Sequence, residues 1–223
     1  MSEPLALALP LAGRCRVVNS PADRVPSHGI DKFGLAHAID LVPVDGDGVS
    51  APRRMRSWFT SESPETFVGF GLPVRAPASG VVVWAHDGEP DGGARRAPLV
   101  ALAFALTQAR RVRAGVEAVA GNHVVIEVDG GAGFLWLVHL RLGSVRVGPG
   151  QPVVVGDAVG EVGNSGNTTE PHVHVHLADS AQWRQARALP ISFTSYRTVG
   201  FDGEPGAVVE RGLPRSGEIV ESD

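Results

Sequence analysis

Residues 171–177 read Pro-His-Val-His-Val-His-Leu. Side chains of a β-strand alternate between its two faces, so His172, His174 and His176 share one face and Val173, Val175 and Leu177 the other. The valine face belongs to a core. The histidine face either decorates the surface or converges on a ligand. Neighbours on one face lie roughly 6.5–7 Å apart, close enough for two imidazoles to approach one metal ion or its water. The outer pair, about 13 Å apart, cannot share an ion. At most two of the three therefore serve one centre. The loop that delivers them, "GNSGNTTEP" at 163–171, has glycines that let backbone come close to a ligand.

The rest of the chain carries the same punctuation. With 28 Gly, 17 Pro and 43% hydrophobic residues among 223, the composition is that of a β-rich globular protein. That length buries a sizeable core without staples. We expect a mainly β fold, an antiparallel sheet with a barrel- or sandwich-like core, in one domain over residues 1–223 whose core runs from about 26 to 200. Strand candidates are "LAHAIDLVPV" at 35–44, two short strands around the "PASG" turn within 74–88, and a hairpin over 122–140 closed by "DGGAG". Short valine runs between glycines at 147–167 suggest tight corners.

One amphipathic α-helix is expected over 98–114, with Leu99, Leu102, Ala103 and Leu106 at helical spacing, Pro98 in the first turn and Arg110, Arg111 and Arg113 near the end. It either walls a cleft or packs on the outside of the sheet, the latter being the default. The tail from about 205 to 223 reads as loosely ordered.

Composition also excludes. A net charge of −4 without a basic stripe argues against nucleic acid as a partner. The single cysteine, Cys15, rules out an internal disulfide and a Cys-based zinc knuckle, and reads as a small core residue. No stretch has the roughly 18 to 20 apolar residues of a membrane span. Glu3 stands where a signal peptide carries Lys or Arg, so no signal peptide is read. Oligomeric state is left open.

"VGPGQPVVVGDAVGEVGNSGNTTEPHVHVHL" resembles the glycine-rich run and H-x-H signature of the lysostaphin/LytM-type zinc metallopeptidases, peptidase family M23. "GNHVVIEV…FLWLVHL" is similar to the family's strand pair ending in a histidine before leucine, and "VRAPASGVVV" to the strand entering its core. The resemblance covers about residues 26–178. It implies a LytM-type fold, a Zn2+ cofactor, His174 and Asp40 as metal ligands, and His139 and His172 as catalytic residues flanking the reacting water.

One position departs from the pattern. The family's H-x-x-x-D motif would put its first histidine at position 36, where this chain has Ala36. His37 is adjacent, but in a regular strand it faces away from Asp40. His28, in "VPSHGIDKFG", can reach in from a loop, with Asp31 of its own "HGID" as a competing carboxylate. We take His28 as the first ligand and His37 as its alternative. His86 and His123 are expected to be non-catalytic, and His176 to support a ligand from behind.

Two imidazoles and one carboxylate leave a zinc ion an open position, as a catalytic site requires. No HExxH helix supplies a glutamate base, so proton transfer falls to histidine, with an ordinary pKa of about 6.5. The reaction expected is peptide-bond hydrolysis. The resemblance implies, as substrate, peptidoglycan cross-links or stem peptides, cut at glycine or D-alanine linkages, and a place in the cell envelope or outside the cell. Rivals are a LytM-like binding or regulatory module that has lost catalysis and, at greater distance, a cupin-type metal enzyme. The cupin would need a glutamate soon after His174, where the chain reads "VHLADS".

Overall fold

The computed structural model describes residues 3–53, 55–200 and 203–222. Fourteen strands run in chain order as β1 (Leu5–Leu7), β2 (Gly13–Val18), β3 (Ile39–Pro43), β4 (Pro73–Arg75), β5 (Gly80–His86), β6 (Asn122–Val128), β7 (Gly133–Leu140), β8 (Pro152–Val153), β9 (Ala158–Glu161), β10 (Val173–Ala178), β11 (Ala188–Leu189), β12 (Ile191–Val199), β13 (Pro205–Gly212) and β14 (Ile219–Ser222). Three helices, α1 (Pro98–Leu106), α2 (Gln108–Ala114) and α3 (Val116–Ala120), fill the connection from β5 to β6. The fold is mainly β, as expected. One large sheet runs β1-β12-β14-β2-β3-β10-β7-β6-β5-β8, all antiparallel except β1 with β12. It does not close into a barrel.

Alternation along the central strands separates two faces. Ile39, Leu41, Val173, Val175, Leu177, Leu135, Leu137, Val124 and Ile126 point to one side and are buried. The two-stranded β4–β9 sheet covers that side, adding Val74 and Val159. On the other face Val125, Trp136 and Val138 pack against Ala120 and Val116 of α3, making a smaller cluster beside the histidines. The valine face of the histidine strand is thus core, as alternation requires.

Several expectations need correction. The strand expected over 35–44 begins only at Ile39, because residues 36–37 form a turn. The two strands within 74–88 exist but do not pair: β4 bonds to β9 in the small sheet, and β5 to β6 and β8. The hairpin over 122–140 is present as β6 and β7. The single helix expected over 98–114 is broken at Thr107, whose hydroxyl bonds back to the Phe104 carbonyl oxygen at 2.7 Å, and Gly115, with φ +134°, separates its second half from α3.

The termini differ most from the sequence reading. The tail read as loose forms β13 and β14, and the core extends beyond residues 26–200 at both ends. β14 lies between β12 and β2, with Val220 opposite Cys15 and both side chains buried. Because β2 in turn pairs with β3, placing Val18 opposite Asp40, the last strand of the chain buttresses the strand that carries the site. Burial of Val220 alone is worth about 1.5–3 kcal/mol.

Burial pushes the Cys15 thiol up to about 12, so in the intact protein it should not react with Ellman's reagent near pH 8, where an ordinary thiol does. Ending the chain after Gly212 should make Cys15 reactive and lower the unfolding midpoint. Rapid labelling of the intact native chain would contradict this arrangement.

Candidate metal centre

β3, β10 and β7 lie side by side, and their register sets Asp40 opposite His174 on one flank of β10 and Val138 opposite it on the other. The two residues that sequence reasoning singled out from segments 134 positions apart become cross-strand neighbours, with His174 Nδ1 2.8 Å from Asp40 Oδ1. His28 arrives from the loop before β3, and its Nε2 lies 3.2 and 3.1 Å from the two Asp40 oxygens. One donor atom from each of His28, Asp40 and His174 falls within 4.8 Å of the others, so these three could hold a metal ion. Two imidazole nitrogens and a carboxylate suit zinc.

Ser27 orients His28. Its buried hydroxyl lies 2.7 Å from the Ala38 carbonyl oxygen and 3.0 Å from His28 Nδ1. The carbonyl can only accept, so the hydroxyl donates to it and receives the His28 Nδ1–H, leaving Nε2 to face Asp40. The Ser27 N–H also bonds to the Ala36 carbonyl oxygen, closing the loop onto the turn that holds His37. His37 is half-buried in that turn and makes no approach to Asp40 among the described contacts. Asn19 donates from Nδ2 to Asp40 Oδ2 at 2.8 Å. Neither Ser27 nor Asn19 was singled out in the sequence; only the position of Ser27 beside His28 hints at its role.

His172 and His139 complete the cluster. His172 Nδ1 donates to the Glu170 carbonyl oxygen at 2.7 Å, and its Nε2 lies 3.5 Å from Asp40 Oδ1. His139 Nδ1 donates to the Ser165 carbonyl oxygen at 2.9 Å, so both rings are held by the Gly/Asn-rich loop that precedes β10. Regular alternation would send His139 into the core, because the preceding Val138 already faces the site. A left-handed backbone at His139, φ +68°, turns its ring to within 4.9 Å of the His172 ring. A non-glycine residue held there costs about 1–3 kcal/mol and marks functional sites.

His174 Nε2 lies 3.1 Å from His176 Nδ1, so His176 supports His174 from behind, as expected. Beyond it the rings of Trp136 and His123 stack in turn, each 5.5 Å from the last, and His86 lies 5.7 Å further on. His123 and His86 stay outside the cluster. The face is therefore walled by buried rings, with a cleft in front of it. A cavity of about 150 Å³ has His28, His139 and His174 at one end and Val112, Val116 and Trp183 among its apolar walls. The 98–114 insertion was expected to pack outside the sheet; instead α2 and α3 wall this cleft.

Charge inside this enclosure is regulated by burial. Burial and the neighbouring histidines hold His139 and His176 well below the ordinary histidine value, and burial lowers His174 and His123. Burial also opposes charge on His172, but the Asp40 carboxylate outweighs it and raises that group. Against the cost of its own burial, Asp40 is kept ionised, well below the usual carboxylate range, by His172 and His28.

The profile of peptidase family M23 matches residues 65–186, more than half of the chain. The chain belongs to peptidase family M23. His139, His172 and His174 lie inside the matched residues; His28 and Asp40 lie before them. Among solved structures, the chain is similar to the catalytic domain of the antimicrobial peptidase lysostaphin from Staphylococcus simulans, 19% identical over 71% of this chain and 80% of that one, at TM-score 0.38. A mutant catalytic domain of the prophage-encoded M23 protein EnpA from Enterococcus faecalis is 19% identical over 85% and 91%, at TM-score 0.39. A zinc-containing peptidase from Vibrio cholerae is 18% identical over 62% of this chain and 42% of its own length, at TM-score 0.32.

The sign of the pH dependence follows from these groups. A buried histidine with a lowered pKa binds fewer protons than the unfolded chain, so its contribution is present above about pH 6.5 and lost below it. His172, raised, contributes in the opposite sense: its stabilisation is present below about pH 6.5 and fades as pH rises through its folded value. With His37, lowered by its partial burial, five lowered histidines outnumber one raised. In chelator, the urea midpoint should fall as pH drops from about 7 to about 5; a midpoint that rises would contradict the neutral, buried imidazoles.

Proposed function

We propose that this member of family M23 is a zinc-dependent endopeptidase acting on the peptide part of bacterial peptidoglycan, in cross-links or stem peptides, at glycine or D-alanine linkages. The observation that carries the reading is the convergence of His28, Asp40 and His174 on one point, with His139 and His172 beside it. His28 takes the place of the family's first histidine. His37 is set aside because nothing brings it to Asp40. A three-residue ligand set also argues against the binding-module alternative, which would tolerate its loss.

His28, Asp40 and His174 would hold the ion. When bound, zinc supplies Lewis acidity toward a peptide carbonyl and lowers the pKa of a water molecule to about 7. The chain's own residues do the rest. His139 and His172 each commit Nδ1–H to a backbone carbonyl, leaving Nε2 of each for the reacting groups. Between them they accept the proton of the attacking water and hydrogen-bond the carbonyl oxygen as charge develops on it. The α2–α3 wall keeps bulk water from one side of the cleft.

Zinc should bind at one equivalent, and chelation should abolish peptidoglycan digestion. Ala at Asp40 or His174 should lose the metal. Ala at His139 or His172 should retain it while turnover falls about 10²–10⁴-fold. Ser27→Ala should weaken zinc binding about 10–100-fold through the freed His28 ring. A metal-loaded wild-type protein that digests no peptidoglycan would overturn the substrate, and zinc loss from the His139 or His172 variants as complete as from His174→Ala would overturn the division of roles.

A further inference from the structure

Helix α1, Pro-Leu-Val-Ala-Leu-Ala-Phe-Ala-Leu, is apolar at every position, yet none of its residues is buried. An all-apolar helix ordinarily lies in a core or a membrane. The leucines read at helical spacing face outward: Leu99, Leu102 and Leu106 are 78%, 58% and 78% exposed. The reason is on the opposite side of the helix. Phe104 is clasped between two guanidiniums, Arg95 at 3.9 Å and Arg111 at 3.6 Å from the ring centre, and this fixes the leucines away from the protein.

The leucines are not alone. The short helical turn at Met55–Trp58 adds Met55, Trp58 and Phe59, exposed by 82%, 52% and 74%. Trp58 and Pro98, the first residue of α1, line one depression with Arg53 and Arg96, so the turn lies against the start of the helix. Apolar patches of this kind are rare on monomeric proteins unless something covers them. Arginines flank the helix in sequence: Arg95, Arg96, Arg110, Arg111 and Arg113 occur without one carboxylate between Asp91 and Glu117, and of these Arg110 and Arg113 are exposed while Arg95 and Arg111 hold Phe104 behind the leucines. Glu62, beside the patch, is already engaged by Arg96 and Ser57. The chain's net charge of −4 is thus locally reversed over residues 92–116.

We propose that α1 and the Met55–Phe59 segment dock this protein on an anionic phospholipid surface. Nine residues at about 1.5 Å each make a helix too short to cross a bilayer, so its exposed leucines can enter one only from the interface. The composition matches that placement: leucines for the acyl boundary, a tryptophan for the interface and arginines for phosphate headgroups. Nucleic acid would use the arginines but leave the leucines in water. The dock is continuous with the cleft, since α2 follows α1 directly and Arg111 Nε donates to Asn167 in the loop before the histidines. The proposal needs no metal and stands apart from the catalytic reading.

The test is vesicle co-sedimentation of the full chain with phosphatidylcholine alone and with equal parts phosphatidylcholine and phosphatidylglycerol, at low and high salt. The protein should pellet with the anionic vesicles, remain in solution with neutral ones, and be released by salt. Joint L99D, L102D and L106D substitutions should weaken binding at least about tenfold, as should joint R110E and R113E, with unfolding midpoints unchanged because all five side chains are exposed. Equal binding by wild type and leucine variant, or no binding to anionic vesicles, would overturn the proposal. So would a dimer in solution that the leucine variant dissolves, which would assign the face to a second copy of the chain.

Discussion

The carboxylate of Asp40 is the constraint on which the site depends. A buried negative charge is costly unless it is paired and hydrogen-bonded from several directions. Here Asn19 reaches it from the end of β2, His28 from the following loop, and His172 and His174 from the start of β10. Four side chains from three separate segments thus meet at two oxygen atoms. Two of them are positioned by strand register, the others by a hydroxyl clamp and a loop. The same charge that attracts the imidazoles in the metal-free protein would help hold a cation among them, so the cluster is ordered before any ion arrives.

How much of this was legible depends on how local each signal is. The alternation of histidine and valine in 172–177 has period two, and a strand obeys it whatever surrounds it, so core face and site face were readable directly. Asp40 and His174 were found through motif resemblance, because no periodicity says that β3 and β10 are neighbours. The choice of His28 over His37 came out of strand alternation, yet residues 36–37 form a turn; His37 is kept away by that turn and by the Ser27 clamp. His139 is a sharper case. Its motif pointed to the site while its position in "FLWLVHL" pointed to the core, and only a left-handed backbone reconciles the two.

The misread elements share a different cause. The C-terminal residues looked loose because β13 is largely exposed on both faces, a pattern that resembles coil in sequence. β13 is ordered by a hairpin with the preceding β12, and β14 by pairing with β12 and with the distant β2, the last of which local composition cannot reveal. The helix expected to be amphipathic is also different in kind: α1 is apolar at every position, so its leucines at helical spacing are one part of an apolar surface that runs all round it. Periodicity reports that a helix has an apolar side, not what that side meets. In this chain α2 and α3 turn inward to wall the cleft, whereas α1 turns its leucines away from it.

The central claim is that His28, Asp40 and His174 are the ligands of one catalytic ion. A crystal structure of the zinc-loaded protein, with the metal located by anomalous scattering at the zinc edge, tests it most directly. The expected result is a single ion bonded to His28 Nε2, an Asp40 oxygen and His174 Nδ1, with His139 and His172 near but unbonded. An ion bonded to His37 in place of His28, or one that leaves Asp40 and His174 apart, would contradict the account.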